Sequence, residues 1–336
     1  MKRTRIELID IAERKNLVTA FYKAARGKKY RQNVAEFTAN LDGSLCSLGY
    51  DILAENLPYG RFRNFFIFDP KKRLIHAACF EDRVFHHALM NLAGPVLEKA
   101  MTPSTYACRP GKGVHRAVLK VQDCVRRFPW YVKIDITGYF AAINHELLVN
   151  DLLRRFKGKR LISQLERVVR CYENAPGKGL PIGSLTSQYF ANYFLDGLDR
   201  FLDNDKRVLA SVRYMDDIVW WAESRHAAKR VLADVTEYLQ VRKRLQVKKN
   251  IQIQRSKQGI SYCGFRILRG TIRLSRRRKR RYQSRRQYWE ELFQQEIINS
   301  VQLQRVYSAV HGITTGTESL HWRRENLRRH PPLVDA

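Results

Sequence analysis

Apolar residues along this chain recur in two rhythms, and the switch between them marks out its parts. Up to about residue 55 they recur at helical spacing, as in Leu41, Leu45, Leu48 and Leu53, with basic residues such as Arg26, Lys28, Lys29 and Arg31 scattered around them. This predicts an N-terminal helical extension over residues 1–55. From 56 to 265, strand-like and helix-like segments alternate. Trp130-Tyr131-Val132-Lys133-Ile134-Asp135-Ile136 is a nearly continuous apolar run with β-branched and aromatic members, which predicts a buried strand with Asp135 near its end. In Ser187–Leu195, Tyr189 and Tyr193 stand four residues apart, as do Phe190 and Phe194. The pattern continues through Leu198 and Leu202, as expected of a helix laid on a sheet. Val208–Tyr214 and Ile218–Trp221 are strand-like and separated only by Met215-Asp216-Asp217, which predicts a tight hairpin with its acids at the tip. After 266, Trp289, Phe293, Ile297 and Val301 repeat every four residues and predict a helix with one buried stripe. The expected class is α+β, an antiparallel sheet with packed helices, followed by a basic helical region over 266–336.

Charge adds a partner to this picture. The 336 residues include 62 Lys or Arg against 32 Asp or Glu, a net charge of +30, which attracts polyanions over long range. Nucleic acid is the expected partner. A membrane surface is not expected, because no apolar run is long enough to cross a bilayer and the N-terminus lacks a signal-peptide core. The expected location is the cytoplasm. The concentration is greatest at the end of the chain: residues 266–336 hold 16 Lys or Arg against six acids, and Ser275–Arg286 has eight basic residues in twelve. Such a run suits phosphate contacts with little sequence preference and steep salt dependence. The six cysteines form no C-x-x-C pair and have no histidine at zinc-ligand spacing, so free thiols are expected. His86-His87 lies in an apolar helical stretch and reads as packing.

An acid ending a buried strand and two acids at a hairpin tip are costly to bring together without a cation, because like charges raise one another's pKa. Two Mg²⁺ ions about 3.5–4 Å apart would remove that cost, activate a 3′ hydroxyl and stabilise leaving pyrophosphate during in-line displacement. Mn²⁺ is a possible substitute.

Tyr214-Met215-Asp216-Asp217 resembles the catalytic motif of reverse transcriptases, and Lys133-Ile134-Asp135 resembles its partner strand. The resemblance implies a right-hand polymerase with fingers and palm over 56–265 and a basic helical thumb over 266–336. It implies Asp135, Asp216 and Asp217 as catalytic, metal-binding acids, with the carbonyl of Ile136 as a further ligand. Phe140 stands where the family carries the bulky side chain that excludes a 2′ hydroxyl, favouring deoxynucleoside triphosphates. Lys71-Lys72-Arg73-Leu74-Ile75 resembles the segment that grips the triphosphate, with Lys72 and Arg73 as nucleotide-binding residues. Glu81-Asp82-Arg83-Val84 and Ser104 through Gly113 resemble the template-side fingers motifs, where Arg83 and Arg109 either hold phosphates or pair with acids. Tyr262-Cys263-Gly264-Phe265 resembles the primer grip. Lys248 or Lys249 falls near the family's proton donor to pyrophosphate. In the thumb, Arg276, Arg277, Arg278, Lys279, Arg280 and Arg281 are expected along the template-primer backbone.

The segment Gly179-Leu180-Pro181-Ile182-Gly183-Ser184-Leu185-Thr186-Ser187-Gln188 narrows the resemblance. Many reverse transcriptases have glutamine before that glycine and proline after the serine, whereas here Ile182 precedes Gly183 and Ser187-Gln188 follows. This pattern resembles the reverse transcriptases of diversity-generating retroelements. Ile182, Gly183 and Gln188 join the expected nucleotide pocket, and Ile182 and Arg73 become candidate fidelity determinants. The resemblance implies a bacterial or phage-encoded RNA-directed DNA polymerase that copies template RNA into cDNA with errors at template adenines. It also implies a basic helical pentameric accessory protein as partner. Alternatives are a retron, group II-related or antiviral reverse transcriptase, and, in another class, a non-catalytic RNA-binding protein of the same fold.

Overall fold

The computed structural model describes residues 3–57, 59–68 and 72–332. After a two-residue strand β1 (Thr4–Arg5) come four helices, α1 (Leu8–Ala12), α2 (Arg14–Ala25), α3 (Gln32–Ala39) and α4 (Leu41–Ala54). A ribbon of β2 (Phe62–Phe68) and β3 (Lys72–Ala78) leads into the long helix α5 (Phe80–Ala100). Next are α6 (Val114–Arg127), β4 (Trp130–Asp135), the single turn α7 (Tyr139–Ala142), α8 (His145–Leu153), β5 (Phe156–Lys157) and α9 (Lys159–Arg170). Two consecutive helices, α10 (Leu185–Phe194) and α11 (Asp196–Asn204), precede the hairpin β6 (Ala210–Tyr214) and β7 (Asp217–Ala222). Helix α12 (Arg225–Lys243) and β8 (Gln252–Arg255) follow, then a small sheet of β9 (Ile260–Tyr262), β10 (Phe265–Ile267) and β11 (Ile272–Leu274). The chain ends in α13 (Arg276–Gln294), α14 (Ser300–Gly312) and α15 (Leu320–Arg329).

The central sheet is antiparallel in the order β6-β7-β4-β8. Both faces are covered, which explains why its strands read as continuous apolar runs instead of alternating ones. Val132, Ile134, Ile218 and Trp220 face a core shared with α1–α5 and α8–α12. Tyr131, Val212, Val219 and Trp221 face a second core with α6 and the β9–β11 sheet. The strand edge at β6 is closed by the segment Ser104–Tyr106, which exchanges backbone hydrogen bonds with Arg213.

Three expectations need correction. The helix expected from Ser187 through Leu202 is two helices broken at Leu195, so the four-residue rhythm passes through a change of axis. The stripe Trp289-Phe293-Ile297-Val301 does not run on one helix: α13 stops at Gln294, Glu296 takes a left-handed φ of 56°, and Asn299 caps α14 with a reciprocal bond to Gln302. Ile297 and Val301 are exposed, while α13 buries Tyr282, Arg286 and Glu290. Of the leucines cited in the N-terminal helices, Leu45 and Leu48 are buried and Leu53 is not. All six cysteines are free. His86 is buried in α5, and burial pushes its imidazole down to about 4, in keeping with packing.

Candidate active site

The carboxylates meet because of strand register. Asp135 ends β4 and pairs directly with Asp217, which opens β7. Paired residues on neighbouring strands share a face, and like charges in that position repel. Tyr214 also pairs with Asp217, so the turn between β6 and β7 consists of Met215 and Asp216 alone. The tip therefore carries one acid, Asp216, and the second, Asp217, belongs to the sheet. Met215 sits at φ 60°, a conformation that favours glycine.

Crowding has electrostatic consequences. Burial, the neighbouring Asp135 charge and a hydrogen bond with Asp135 push the Asp216 carboxyl up to about 6. Burial likewise pushes Asp217 up to about 6, against the opposing pull of Lys133. Two cations stand in the cluster. Lys248 Nζ donates to Asp135 Oδ2 at 2.6 Å, and its backbone N–H donates to the Asp135 carbonyl at 2.9 Å. Lys133 Nζ lies 3.3 Å from Asp217 Oδ1 and 2.9 Å from the Ser261 carbonyl. Of the two lysines left open by sequence, Lys248 is the one at the acids, and Lys249 is exposed.

The oxygen-only donor set suits a hard divalent cation. Asp217 Oδ1 is buried, with the Lys133 ammonium 3.3 Å away, so a cation already stands beside the oxygen that would face a metal ion. No group of three or more His, Cys, Asp or Glu among the described residues is arranged as a ready-made metal site. Two ammonium groups stand among the acids instead, Lys248 on Asp135 and Lys133 beside Asp217. Ladder bonds from Thr137 to the Gln246 carbonyl and from Lys248 to the Asp135 carbonyl flank Ile136. Its own carbonyl therefore points to the opposite edge, the side of the β6–β7 hairpin.

Phe140 is half-buried on α7, whose start is fixed by Gly138 at φ 53° and by the Tyr139 hydroxyl donating to the Ala191 carbonyl of α10. The Ile182 carbonyl accepts from the backbone N–H of His76 at 2.8 Å, tying this segment to β3. Gly183 has φ 114°, and a Cβ there would lie 2.8 Å from Ile75 Cγ2, so both backbone and space require glycine. Arg73 is exposed on the same ribbon face as Ile75. Lys72 alternates to the other face, its Nζ 4.1 Å from the Phe66 ring centroid, so the ribbon separates two side chains expected together. Lys71 lies outside the described residues. Gln188, on α10, accepts from Cys108 Sγ at 3.5 Å.

Tyr262 is buried and donates its hydroxyl to the Asp217 carbonyl at 3.0 Å, which sets the β9–β10 turn beside the hairpin. Cys263 and Gly264, the two central residues of that turn, have φ 47° and 81°, the left-handed pair a type I′ turn needs. Phe265 is buried below it. Arg278 stacks 3.9 Å from the Phe265 ring centroid and donates to the carbonyls of Ile313 and Cys263, so this member of the basic run faces protein. Lys279 lies 5.2 Å from the Trp322 ring centroid. Arg276, Arg277 and Arg280 are exposed, and Arg281 is half-buried.

Arg83 is half-buried, its Nε unpartnered, in a cleft of 890 Å³ also lined by Arg31, Arg61 and Arg63. Of the two readings of Arg109, phosphate contact or pairing with an acid, its contacts fit the second and correct its placement along the template-primer backbone. Its side chain is 6% exposed, pairs with both Glu98 oxygens and donates to the carbonyls of Thr102, Thr105, Glu98 and Met101. A guanidinium has only five N–H donors, and these are engaged inside the protein.

Residues 69–267 match the family model described as reverse transcriptase (RNA-dependent DNA polymerase). Protein YkfC of Escherichia coli (strain K12) is 26% identical over 161 residues, covering 45% of this chain and 42% of that protein. The group II intron-encoded protein LtrA of Lactococcus lactis subsp. cremoris is 23% identical over 138 residues, covering 39% of this chain and 23% of that protein. The chain thus spans less than half the length of these curated relatives. An apo telomerase structure from Candida tropicalis aligns with a TM-score of 0.48 at 11% identity, over 64% of this chain and 48% of that one.

Proposed function

This chain belongs to the reverse transcriptase (RNA-dependent DNA polymerase) family, and from that premise we propose that it is an RNA-directed DNA polymerase acting through Asp135, Asp216 and Asp217. The observation that carries this is the register that sets Asp135 opposite Asp217 with Asp216 in the adjoining two-residue turn. When bound, two divalent cations supply activation of the 3′ hydroxyl and charge neutralisation at the phosphates. Asp135, Asp216 and Asp217, with the Ile136 carbonyl, would hold them. In this reading Lys248, which contacts Asp135, gives a proton to departing pyrophosphate once that contact is exchanged. Phe140 blocks a 2′ hydroxyl, Arg73 meets the triphosphate, and Tyr262–Phe265 steady the primer end. In this reading 56–265 are fingers and palm, and 266–336 are a thumb that follows the template-primer duplex with Arg276, Arg277, Arg280 and Arg281. Primer extension on an RNA template tests it: deoxynucleotide incorporation that EDTA abolishes is expected, and no incorporation with Mg²⁺ or Mn²⁺ contradicts it.

The narrower reading is a polymerase of a diversity-generating retroelement, error-prone at template adenines and working with a pentameric basic accessory protein. Its support is Ile182, an aliphatic residue held against β3 at the expected pocket, which cannot hydrogen-bond as glutamine would. Sequencing cDNA made by Ile182→Gln and Arg73→Ala variants should show fewer errors at template adenines, and an unchanged error frequency refutes the reading. A group II-related polymerase is the second reading, favoured by the likeness to LtrA.

A further inference from the structure

Arg213 breaks the pattern of its strand. It pairs with Ile218 and faces the helix-backed core, a position otherwise filled by apolar side chains, yet it is 1% exposed and charged. Such a group is costly to bury unless every donor is satisfied. Here the guanidinium binds four separate parts of the chain. Nε and Nη2 reach the two Asp199 carboxylate oxygens on α11 at 2.7 and 2.5 Å. Nη2 also reaches Thr105 Oγ1 at 2.8 Å and the Asn192 carbonyl on α10 at 2.9 Å. Nη1 reaches Asn192 Oδ1 at 3.0 Å and the carbonyl of Met215, also at 3.0 Å.

The last bond falls on the residue just before Asp216, and Met215 is the turn residue held at a left-handed φ. An ordinary strand residue could not grip that carbonyl while being anchored to two helices. Asn192 extends the connection: its Nδ2 donates to the Ala107 carbonyl at 2.7 Å, next to Cys108, which contacts Gln188 one turn earlier on α10. The neighbouring Ala191 carbonyl holds Tyr139, adjacent to Phe140. Thus α10 is the common mount for the hairpin, for α7 and for the Thr105–Cys108 segment.

We propose that Arg213 is a positioning residue that locks the Met215–Asp216 turn to α10 and α11, and so sets where Asp216 meets a divalent cation relative to the nucleotide-facing residues on α10 and α7. This deepens the polymerase reading and rests on it. A lysine at 213 keeps the charge opposite Asp199 but lacks the planar fork that spans Asp199, Asn192 and Met215 together.

The test compares wild type with Arg213→Lys, Asn192→Ala and, as a control, Arg207→Gln, which breaks a pairing with Asp205 and Asp234 at the opposite end of β6 from the Met215–Asp216 turn. Thermal melting and template-primer affinity report folding, Mn²⁺ binding by electron paramagnetic resonance reports the carboxylates directly, and single-nucleotide incorporation gives kcat and KM. For Arg213→Lys we expect a folded protein with unchanged KM, kcat lower by on the order of 10²-fold, and Mn²⁺ binding weakened by at least about tenfold. Asn192→Ala should move kcat and Mn²⁺ binding in the same direction, and Arg207→Gln should move neither. Wild-type kcat and Mn²⁺ binding in a folded Arg213→Lys protein would overturn the proposal. If that variant does not fold, wild-type values in Asn192→Ala overturn it instead. A wild type that binds Mn²⁺ yet incorporates no nucleotide defeats the polymerase reading, while the Mn²⁺ comparison still decides the role of Arg213.

Discussion

Asp135 and Asp217 illustrate how a residue's chemistry is set by register. Either alone is an ordinary strand-end acid, but directly opposed on one sheet face they repel, and the protein answers with Lys248 on one and Lys133 on the other. The sequence shows the acids, because Asp-Asp between strand-like runs is a poor choice for a mere turn. Lys133 and Arg213 were hidden, because both sit inside strand-like runs where spacing says nothing about the partner of a charge. A charged residue next to the acids in an otherwise apolar strand is the signal that points to them. Arg109 is open in the sequence between holding phosphate and pairing with an acid, and the fold engages it with Glu98 and four carbonyls. Arg109→Met should therefore cost stability, roughly 3 kcal/mol by urea denaturation because it strands Glu98 and several carbonyls, and leave template affinity unchanged. A large loss of template affinity at unchanged stability would reverse that assignment. Phe140→Ala tests the proposed exclusion of a 2′ hydroxyl: discrimination between deoxy- and ribonucleotides, measured as a ratio of kcat/KM values, should fall by on the order of tenfold or more. Unchanged discrimination would make Phe140 a packing residue.

At the scale of elements, long periodic runs were legible and their ends were not. The strands β4, β6 and β7 and the helix α10 follow from apolar spacing within a few residues. The break at Leu195 and the end of α13 do not: Leu198 and Leu202 stay buried beyond the first, so the repeat conceals the change of helix, whereas Ile297 and Val301 keep the spacing in sequence alone and are exposed. Face assignments are subtler still. In β3 the period of two sends Lys72 and Arg73 to opposite sides, and in α13 the helical period turns Arg278 onto Phe265 while Arg276 and Arg280 stay exposed. If α13 tracks a nucleic-acid backbone, Arg276→Ala with Arg280→Ala should lower template-primer affinity and flatten the slope of log affinity against log salt by roughly 1 per residue. Arg278→Ala should instead weaken the packing of the β9–β10 turn, read as a lower melting temperature. An unchanged salt slope in the double variant would remove α13 from the duplex path.

For the whole molecule, the sheet is the dividing plane between two cores, and the acids lie at one end of it. One core ties the N-terminal helices to the helices behind the sheet, and the other ties α6 to the small sheet that carries Tyr262. The net charge of +30 points to nucleic acid as the proposed partner, and the carboxylates to the proposed chemistry, but neither says how the parts hold one another in register. That comes from polar contacts of high sequence separation, Arg213 with Thr105 and Tyr262 with Asp217, which no local pattern encodes. Among the described residues no helix is long and apolar enough to cross a membrane. The most direct test of the account is single-turnover incorporation of one deoxynucleotide on an RNA template by wild type and by Asp216→Asn, with RNA binding measured on both. The account predicts incorporation by the wild type, no detectable incorporation by the variant, and equal RNA affinity. Activity that survives in Asp216→Asn would contradict it.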